Sequence, residues 1–453
     1  MKHIFPFFLA SVLLVSCSTG YFQTKEPSTP SVSGQSSAVP EESNEILEGT
    51  TRYHWIADTS WVDSTLQSLS LRDKVAQMVV PFTYAPYASD SGEMYQRLVY
   101  LVKDLHVGGF VVSLGNVYEQ AMLLNKLQKI SSVPLLFSSD YEYGLGMRLQ
   151  NGLSFPSNMA LGATRDSSLV YRIGHAIGEE ARAVGILENY APVSDVNDNP
   201  ENPIINVRSF GENPRLVGKL AVAFLKGTQD AGVLATAKHF PGHGDTQVDS
   251  HSELPTINYG YDRLDTLELI PFRDDIAAGV RSVMIAHIAF PKFQNETGVP
   301  ATLSNKITTG LLRDSLGFHG LIVTDALTMG GVTKKYSTAD AAIRAVKAGA
   351  DILLMPPDEE IAINAITRAV ERGEINPAVI DAAVRRILTV KSELSLEKRH
   401  FINVDDISKI VGTESHELLA AKAARRSITI VRNIGDILPL QYHQPQQVLC
   451  LSV

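Results

Sequence analysis

The segment VLATAKHF, residues 233–240, is an apolar run with a lysine and a histidine just before its final phenylalanine. Its length and near-continuous apolar character are typical of a strand buried on both faces, and such strands belong to parallel sheets. Polar residues that follow a parallel strand lie at the sheet edge where α/β proteins carry their sites. The segment therefore predicts both a fold class and the position of a site.

Similar apolar runs occur along most of the chain, at 75–82, 107–113, 134–140, 189–195, 282–290, 320–326 and 351–356. The intervening stretches SSLVYRIGHAIGEEARAVG and LVGKLAVAFLKGTQDAG repeat apolar residues every three or four positions and end in glycine, which predicts helices. Strands alternating with helices in this way predict an α/β protein with a (β/α)8 TIM barrel over residues 51–395. An open doubly wound sheet is the alternative, but no G-x-G-x-x-G follows the first strand.

The N-terminal residues 1–17 have a charged tip and a short apolar stretch, which predicts a secretory signal peptide. Leu14-Val15-Ser16-Cys17 resembles the bacterial lipobox, whose cysteine is lipidated after cleavage. This predicts a lipid anchor on Cys17 and a place in the cell envelope; an ordinary signal peptide with an incidental cysteine is the alternative. Residues 18–50 are rich in Ser, Thr and Pro, which predicts a disordered tether.

The charge balance excludes some classes of partner. Forty Lys and Arg residues stand against 49 Asp and Glu residues, a formal charge of −9, and no long basic run occurs. Nucleic acid is therefore not expected as a partner. The two cysteines, Cys17 and Cys450, lie at opposite ends of the chain, so a disulfide framework is not expected either.

Polar residues end several of the predicted strands, namely Asp140, Asp195, Lys238, His239, His287 and Asp325. Catalytic groups of barrel enzymes occupy such positions, and buried charges cost desolvation unless they are paired or used. We therefore expect a shared site at the carboxyl ends of the strands. The alternative is that each residue only begins an exposed loop.

The loop KHFPGHGDTQVDSH, residues 238–251, allows several chemistries. Its three histidines suggest a metal site, but metal-dependent barrel hydrolases carry an H-x-H pair on the first strand, and 75–82 has no histidine. We expect no metal and no cofactor. A triad of Asp249, Ser250 and His251 is disfavoured because adjacent residues rarely face one another and no G-x-S-x-G is present.

General acid/base chemistry is the better interpretation of this loop. On an extended loop, Asp249 and His251 would point the same way, so that the carboxylate orients one ring nitrogen and leaves the other for substrate. Gly242 and Gly244 would let the loop fold over a ligand as a mobile lid.

The loop resembles the signature of glycoside hydrolase family 3, and within it of the exo-β-N-acetylglucosaminidase branch. The resemblance implies that Asp249 and His251 supply the general acid/base. A second motif, LIVTDALTMGGV, is similar to the segment that carries the family's nucleophile and implies that role for Asp325. The resemblance covers about residues 55–395 and implies the barrel fold.

Further motifs imply the residues that bind the sugar. SSDYEYGLGMRL matches Asp140 and Arg148, NVRSFGENP matches Arg208, and the start of the loop matches Lys238 and His239. The chain departs from the family's D-x-E-G-G-x-V-x-R pattern at Tyr143, in place of the first glycine, and at Leu145, in place of a common arginine. A salt-bridge network that only stabilises the barrel mouth is the alternative for these charged residues.

The resemblance implies a retaining enzyme that removes terminal β-N-acetylglucosamine, with a covalent glycosyl-aspartate intermediate. A small saccharide or muropeptide derived from peptidoglycan is the expected substrate. The alternatives are a β-glucosidase, a β-xylosidase or a GlcNAc phosphorylase of the same family, or a saccharide-binding lipoprotein without catalysis.

The composition shifts again after residue 395. TESHELLAAKAARRSITIVRNIGDILPL has the pattern of a helix, a strand and a turn, and it resembles the start of the α/β sandwich domain that often follows the barrel in this family. Residues 396–453 are therefore expected to form a linker and the beginning of a truncated sandwich domain. VLCLSV would be its first core strand, with Cys450 as a buried core cysteine.

Overall fold

The computed structural model describes residues 52–398, 401–435 and 438, and these residues belong to one compact unit. The predicted signal peptide, the lipidation site Cys17, the tether and the predicted strand at 448–453 lie outside the described residues. None of the described helices is both long and apolar enough to traverse a lipid bilayer.

The described residues form short parallel strands, β1 (Val79–Val80), β2 (Phe82–Ala85), β3 (Gly109–Gly115), β4 (Leu136–Ser139), β5 (Glu188–Asn189), β6 (Leu234–Phe240), β7 (Ser282–Ile285), β8 (Leu321–Thr324) and β9 (Leu353–Leu354). The helices are α1 (Thr59–Ser68), α2 (Leu71–Gln77), α3 (Glu93–Lys103), α4 (Val117–Ile130), α5 (Asn158–Thr164), α6 (Ser167–Ala183), α7 (Pro214–Asp230), α8 (Tyr261–Thr266), α9 (Leu269–Ala277), α10 (Pro291–Gln294), α11 (Gly330–Thr333), α12 (Thr338–Ala348), α13 (Glu359–Glu371), α14 (Pro377–Glu393), α15 (Ile407–Ile410) and α16 (Glu414–Ser427). A π-helix spans Lys306–Ser315, and 3-10 turns lie at Leu145–Met147, Asn206–Arg208, Ala301–Leu303, Leu396–Lys398 and Val404–Asp406.

Strands β2 to β8 form a seven-stranded parallel sheet in chain order. Strand β9 pairs in parallel with β1, with Val79 opposite Leu353, and only Pro81 separates β1 from β2. A parallel bridge joins Val323 of β8 to Ile352, next to β9. The sheet is therefore curled, and its parallel strands with helical crossovers make a TIM-like α/β fold.

Helices α6 and α7 illustrate how the sequence pattern produces the helical layer. Each begins at a side-chain cap, Asp166 or Asn213, and each is followed by a glycine with positive φ. The two helices pack so closely that a Cβ at Gly174 would lie 2.4 Å from the carbonyl oxygen of Phe224. The core between helices and sheet is built from Leu, Ile, Val and Ala side chains with almost no exposure.

The α/β class and the parallel sheet predicted from the sequence are confirmed, but several strand boundaries were wrong. Residues 71–77 are helical, because Ser70 caps α2 by accepting a hydrogen bond from the Asp73 N–H, and the first strand begins at Val79. Strand β5 is limited to Glu188–Asn189, and β7 ends at Ile285, before the predicted run does.

The described residues after 395 add helices and turns, and no strand, to the fold. Helices α15 and α16 pack against α6, and α16 also packs against α5. The start of a sandwich domain at 396–453 stays a prediction.

Candidate active site

The carboxyl ends of the parallel strands surround a cavity of about 500 Å³. The cavity is lined by seven of the residues that the sequence predicted for the site, namely Asp140, Arg148, Arg208, Lys238, His239, His251 and Asp325. Asp249 contacts the lining residue His251. Asp195 and His287 are buried and do not line the cavity, but they contact the lining residues His239 and Ala326. The chain order of the sheet explains the convergence: β4, β6 and β8 run parallel, so the residues that follow them emerge at the same edge.

A cluster of opposite charges lies at the cavity wall formed by the segments after β4 and β5 and by the carboxyl-terminal part of β6. The Lys238 Nζ lies 2.8 Å from Asp140 Oδ1 and 2.9 Å from Glu142 Oε1. Arg148 donates to Asp140 at 3.2 Å, and Arg208 donates to both Glu142 oxygens, at 2.7 and 3.0 Å. Three cations thus face two carboxylates, and the wall offers many charged donors and acceptors to a polyol.

In this cluster, ion pairing shifts the pKa values of the charged groups more than burial does. Burial raises the pKa of Glu142, but the charges of Lys238 and Arg208 lower it more, so the carboxyl is held ionised well below its usual range. Burial likewise lowers the pKa of Lys238, and the charges of Asp140 and Glu142 outweigh that effect and raise it.

The sequence interpretation gave no role to Glu142. It stands two positions after Asp140, and its side chain is 1% exposed. Both carboxylates reach Lys238, and Glu142 is the more deeply buried of the two anions. The signal for it was the D-x-E spacing within SSDYEYGLGMRL.

The sequence placed Asp195 at the end of a predicted strand but gave it no role. The structure shows what it contacts. It is buried, and its carboxylate accepts hydrogen bonds from the backbone N–H groups of His239 and His243. Its Oδ2 lies 2.7 Å from His239 Nδ1. Burial raises the pKa of Asp195, but His239, His243 and their hydrogen bonds lower it more. Asp195 therefore fixes the start of the 238–251 loop and the ring of His239.

Asp325 directly follows β8 and accepts a hydrogen bond from the Ala326 N–H at 2.7 Å. Burial raises the pKa of Asp325, but the nearby His287 and His239 lower it more, together with that N–H. The carboxylate is therefore ionised at neutral pH. His287 is buried behind it and donates from Nε2 to the Ala326 carbonyl, and burial lowers the pKa of this imidazole.

The Asp249–His251 pair forms, but not on an extended loop. Residues 249–253 make a turn in which the Ser252 and Glu253 N–H groups donate to the Asp249 carbonyl. The Asp249 carboxylate accepts from the His251 N–H and lies 2.8 Å from its Nδ1. The predicted extended geometry was wrong, because an aspartate side chain readily closes such a turn with the backbone two residues on. The His251 side chain is 61% exposed.

The two glycines of this loop allow its backbone to pack closely against neighbouring residues. A Cβ at Gly244 would lie 1.6 Å from the Val196 carbonyl oxygen, and Gly242 has φ +140° against Glu268. Both glycines are buried, whereas Gln247, Val248 and the residues around His251 are more exposed. The predicted lid is thus anchored at its base by close packing of its glycines.

The three histidines of the loop have separate partners. His239 contacts Asp195, His243 contacts Ser250 and Thr246, and His251 contacts Asp249. Across residues 52–398 and 401–435, no three His, Cys, Asp or Glu side chains are grouped to hold a metal ion. Ser250 bonds to His243 rather than His251, so the adjacent Asp, Ser and His form no triad.

Comparison with known proteins identifies the class as the glycoside hydrolases. Residues 70–390 match the Glycosyl hydrolase family 3 N terminal domain. The chain belongs to glycosyl hydrolase family 3.

One similar protein is Beta-hexosaminidase A of Pseudoalteromonas piscicida, 37% identical over 377 residues, which are 75% of this chain. The chain spans 62% of the length of that relative. A similar solved structure is a family 3 beta-N-acetylglucosaminidase from Paenibacillus sp. str. FPU-7, with 42% identity and a TM-score of 0.76 over 81% of this chain and 70% of that one. Another is beta-glucoside phosphorylase BglX bound to 2FGlc, with 28% identity and a TM-score of 0.79 over 86% and 71% of the two chains.

Proposed function

We propose that the chain is a retaining exo-β-N-acetylglucosaminidase built on a complete (β/α)8 barrel, with Asp325 as nucleophile. His251, oriented by Asp249, acts as general acid/base. The observation that carries this proposal is that Asp325 and the Asp249-paired His251 line one cavity next to the Asp140–Lys238–Glu142 cluster.

The proposed chemistry starts from the ionised carboxylate of Asp325. The ionised Asp325 attacks the anomeric carbon while His251 protonates the departing oxygen, which forms a covalent glycosyl-aspartate. The same imidazole then removes a proton from water, which releases the sugar with its configuration retained. Arg148, Arg208 and Lys238 donate to the sugar hydroxyls, and Asp140 accepts from them.

The names of two similar proteins, a beta-hexosaminidase and a beta-N-acetylglucosaminidase, support GlcNAc as the sugar. We propose saccharides or muropeptides derived from peptidoglycan as substrates. Parallel assays with aryl β-glycosides of GlcNAc, glucose and xylose test the choice of sugar. Turnover of the glucoside or xyloside faster than the GlcNAc derivative would overturn it.

Mass spectrometry after incubation with a fluorinated GlcNAc donor tests the mechanism. We expect one sugar adduct on the peptide that contains Asp325, and no adduct in the Asp325→Asn variant. An adduct on a different peptide would contradict the assignment. Sugar binding without turnover or adduct would instead identify a non-catalytic saccharide-binding protein.

Phosphorolysis is a second candidate, favoured by the similarity to a beta-glucoside phosphorylase. An imidazole acid/base admits an incoming phosphate anion better than a carboxylate would, and the adjacent cluster has a surplus of cations. Product analysis in phosphate buffer separates the two reactions: GlcNAc 1-phosphate marks phosphorolysis, and free GlcNAc marks hydrolysis.

We also propose that Cys17 is lipidated and attaches the protein to the cell envelope, on the strength of the lipobox-like sequence before it. Expression with a radiolabelled fatty acid tests this. We expect the label in the unmodified protein and none in the Cys17→Ser variant. Equal labelling of both would contradict the anchor.

A further inference from the structure

The side chain of His243 connects two parts of the 238–251 loop. Its Nε2 lies 2.9 Å from Ser250 Oγ, and its Nδ1 lies 2.9 Å from Thr246 Oγ1. All three side chains are buried. The imidazole therefore bridges the middle of the loop and the turn of residues 249–253 away from solvent, where a hydrogen bond is stronger than it is in water.

Ser250 differs from its neighbours in burial. Within residues 247–253, all of which the structure describes, Ser250 alone is buried. The His251 side chain is 61% exposed and that of Asp249 is 41% exposed. Packing around the Asp249–His251 pair is therefore sparse, and the buried Ser250 between them is the residue through which the protein interior can hold the turn.

His243 is itself held by buried residues that follow β5. Its backbone N–H donates to Asp195 Oδ1 at 2.7 Å, and its carbonyl accepts from Asn202 Nδ2 at 2.8 Å. Asp195 and Asn202 are both buried. The position of the His243 ring is therefore fixed independently of the exposed end of the loop.

The His243 ring is uncharged at neutral pH. Burial lowers its pKa, the charge of His239 lowers it further and that of Asp195 raises it, which leaves the pKa at about 4. In a neutral imidazole one nitrogen donates and the other accepts, and a hydroxyl can do either. The Ser250 hydroxyl therefore satisfies Nε2 in both tautomers.

We propose that His243 is a positioning residue for the acid/base, and that it acts through Ser250 to orient the turn that carries Asp249 and His251. The inference rests on the proposed function. It deepens that function by assigning the orientation of His251 to a buried side-chain contact as well as to the Asp249 carboxylate.

Substitutions at both partners test the contact. Ser250→Ala removes the hydroxyl, and Ser250→Thr keeps one. His243→Asn removes the group at the position of Nε2, because an asparagine amide reaches only as far as Nδ1, whereas His243→Gln places an amide near Nε2. Ser252→Ala is the matched control, because it deletes the hydroxyl of an exposed serine two positions further on.

Two glycosides of GlcNAc separate orientation of the acid from other losses. The alkoxide that leaves the methyl β-glycoside must be protonated, whereas the dinitrophenyl β-glycoside releases a stable anion. The comparison uses kcat/KM, because this constant covers the steps up to formation of the glycosyl-aspartate and excludes its hydrolysis.

We expect Ser250→Ala and His243→Asn to lower kcat/KM for the methyl glycoside about 10- to 100-fold, since a shift of about 1 Å in a catalytic group has an effect of that order. The dinitrophenyl glycoside should lose less than about threefold, because its departure needs no acid. Ser250→Thr and His243→Gln should recover most of the loss. Ser252→Ala should match the unmodified protein.

The double variant that combines His243→Asn with Ser250→Ala gives a second criterion. Both substitutions break the same contact, so the double variant should lose no more than about twofold beyond the larger single loss. Single losses that multiply in the double variant would overturn the proposal. Equal losses on the two glycosides would do the same, because they would point to contact with the sugar, and so would an unchanged methyl glycoside rate in Ser250→Ala.

His251→Ala shows which proposal has failed. If it leaves kcat/KM for the methyl glycoside unchanged, His251 is not the acid/base, and the proposed function fails together with this inference. If His251→Ala lowers that rate and Ser250→Ala does not, only the positioning role of His243 is refuted. Turnover of the dinitrophenyl glycoside by each variant also shows that the variant is folded.

Discussion

The backbone N–H of Gly330 donates a hydrogen bond to the carbonyl of His251 at 2.9 Å. Next to it, the Gly331 N–H donates to the Ser250 carbonyl at 3.2 Å. The tip of the 238–251 loop is thus held by the segment that follows Asp325. This backbone contact joins the turn that carries the proposed acid/base to the segment that follows the proposed nucleophile.

Gly330→Ala should displace the loop, because a Cβ at this position would lie 2.3 Å from the Ser252 carbonyl oxygen. We expect kcat to fall about 100-fold on substrates whose leaving group must be protonated, since a shift of about 1 Å has that effect. Aryl glycosides with acidic leaving groups should lose much less. Gly310→Ala is the control, because a Cβ there has only a distant contact, at 3.8 Å. Equal losses for both kinds of leaving group would contradict the displacement of His251.

Glu142→Gln should remove the anion that balances Lys238 and Arg208. Breaking a buried ion pair on one side costs about 3 to 5 kcal/mol, so urea unfolding should show a loss of that size and KM should rise. The exposed pair of Glu253 and Lys334 gives the matched control Glu253→Gln, which should change stability by less than about 1 kcal/mol.

The loss of folding stability at acidic pH should depend on the same carboxylate, that of Glu142. The pKa of Glu142 is lowered on folding, so its contribution is present above the unfolded pKa near 4.5 and declines as pH falls below it. Thermal unfolding from pH 7 to pH 3 should therefore show a smaller decline in Glu142→Gln than in the unmodified protein. Parallel curves would refute this assignment.

His416 joins α16 to α6 through Glu180, at 2.8 Å, and Glu179, at 3.4 Å. Burial lowers the pKa of His416, but the two carboxylates outweigh it and raise the pKa to about 9. A histidine whose pKa is raised stabilises the fold fully below its unfolded pKa near 6.5, and this contribution is lost as pH rises through 9.

Hydrogen exchange of the α16 amides checks this prediction. Protection should decrease between pH 7 and pH 9, after correction for the intrinsic exchange rate, and the decrease should be smaller in His416→Gln. The exposed His54 provides the control variant His54→Gln, which should behave as the unmodified protein does. The same decrease in all three proteins would exclude the His416 contact as its cause.

Glu268 lies against Gly242, at the base of the 238–251 loop, and Arg263 is 3.3 Å from its Oε1. Burial raises the pKa of Glu268 to about 7, with Arg263 lowering it and Asp198 and Asp245 raising it. An acid with a raised pKa disfavours the folded state increasingly as pH rises from the unfolded pKa through the folded one. Glu268→Gln should therefore raise Tm above pH 7 and change it little near pH 4. A lower Tm at pH 8 would contradict this.

The α/β class was predictable because most of the β strands lie in short apolar runs that are largely buried, which leaves a clear pattern in the chain. Asp140 and Asp325 were predictable for the same reason, since both directly follow such strands. The boundary between α2 and the first strand was harder to predict, because one apolar run covers both the last turn of α2 and the strand after it.

The partners of the site residues could not be predicted. Asp195 contacts His239 and His243, which are more than 40 positions away, and Glu142 lies between two cations from other loops. No local pattern specifies such pairings, because they depend on how separate loops meet at the edge of the sheet.

The sequence by itself determined the parallel α/β class and the residues that end its strands, because burial and strand alternation act locally and repeat along the chain. Only the tertiary structure decided that Glu142 joins Asp140 as a buried anion of the cluster, that the Asp249–His251 pair sits on a turn, and that Gly330 bonds to that turn. These relationships depend on distances between segments remote in sequence, and burial turns each of them into a large electrostatic or steric constraint.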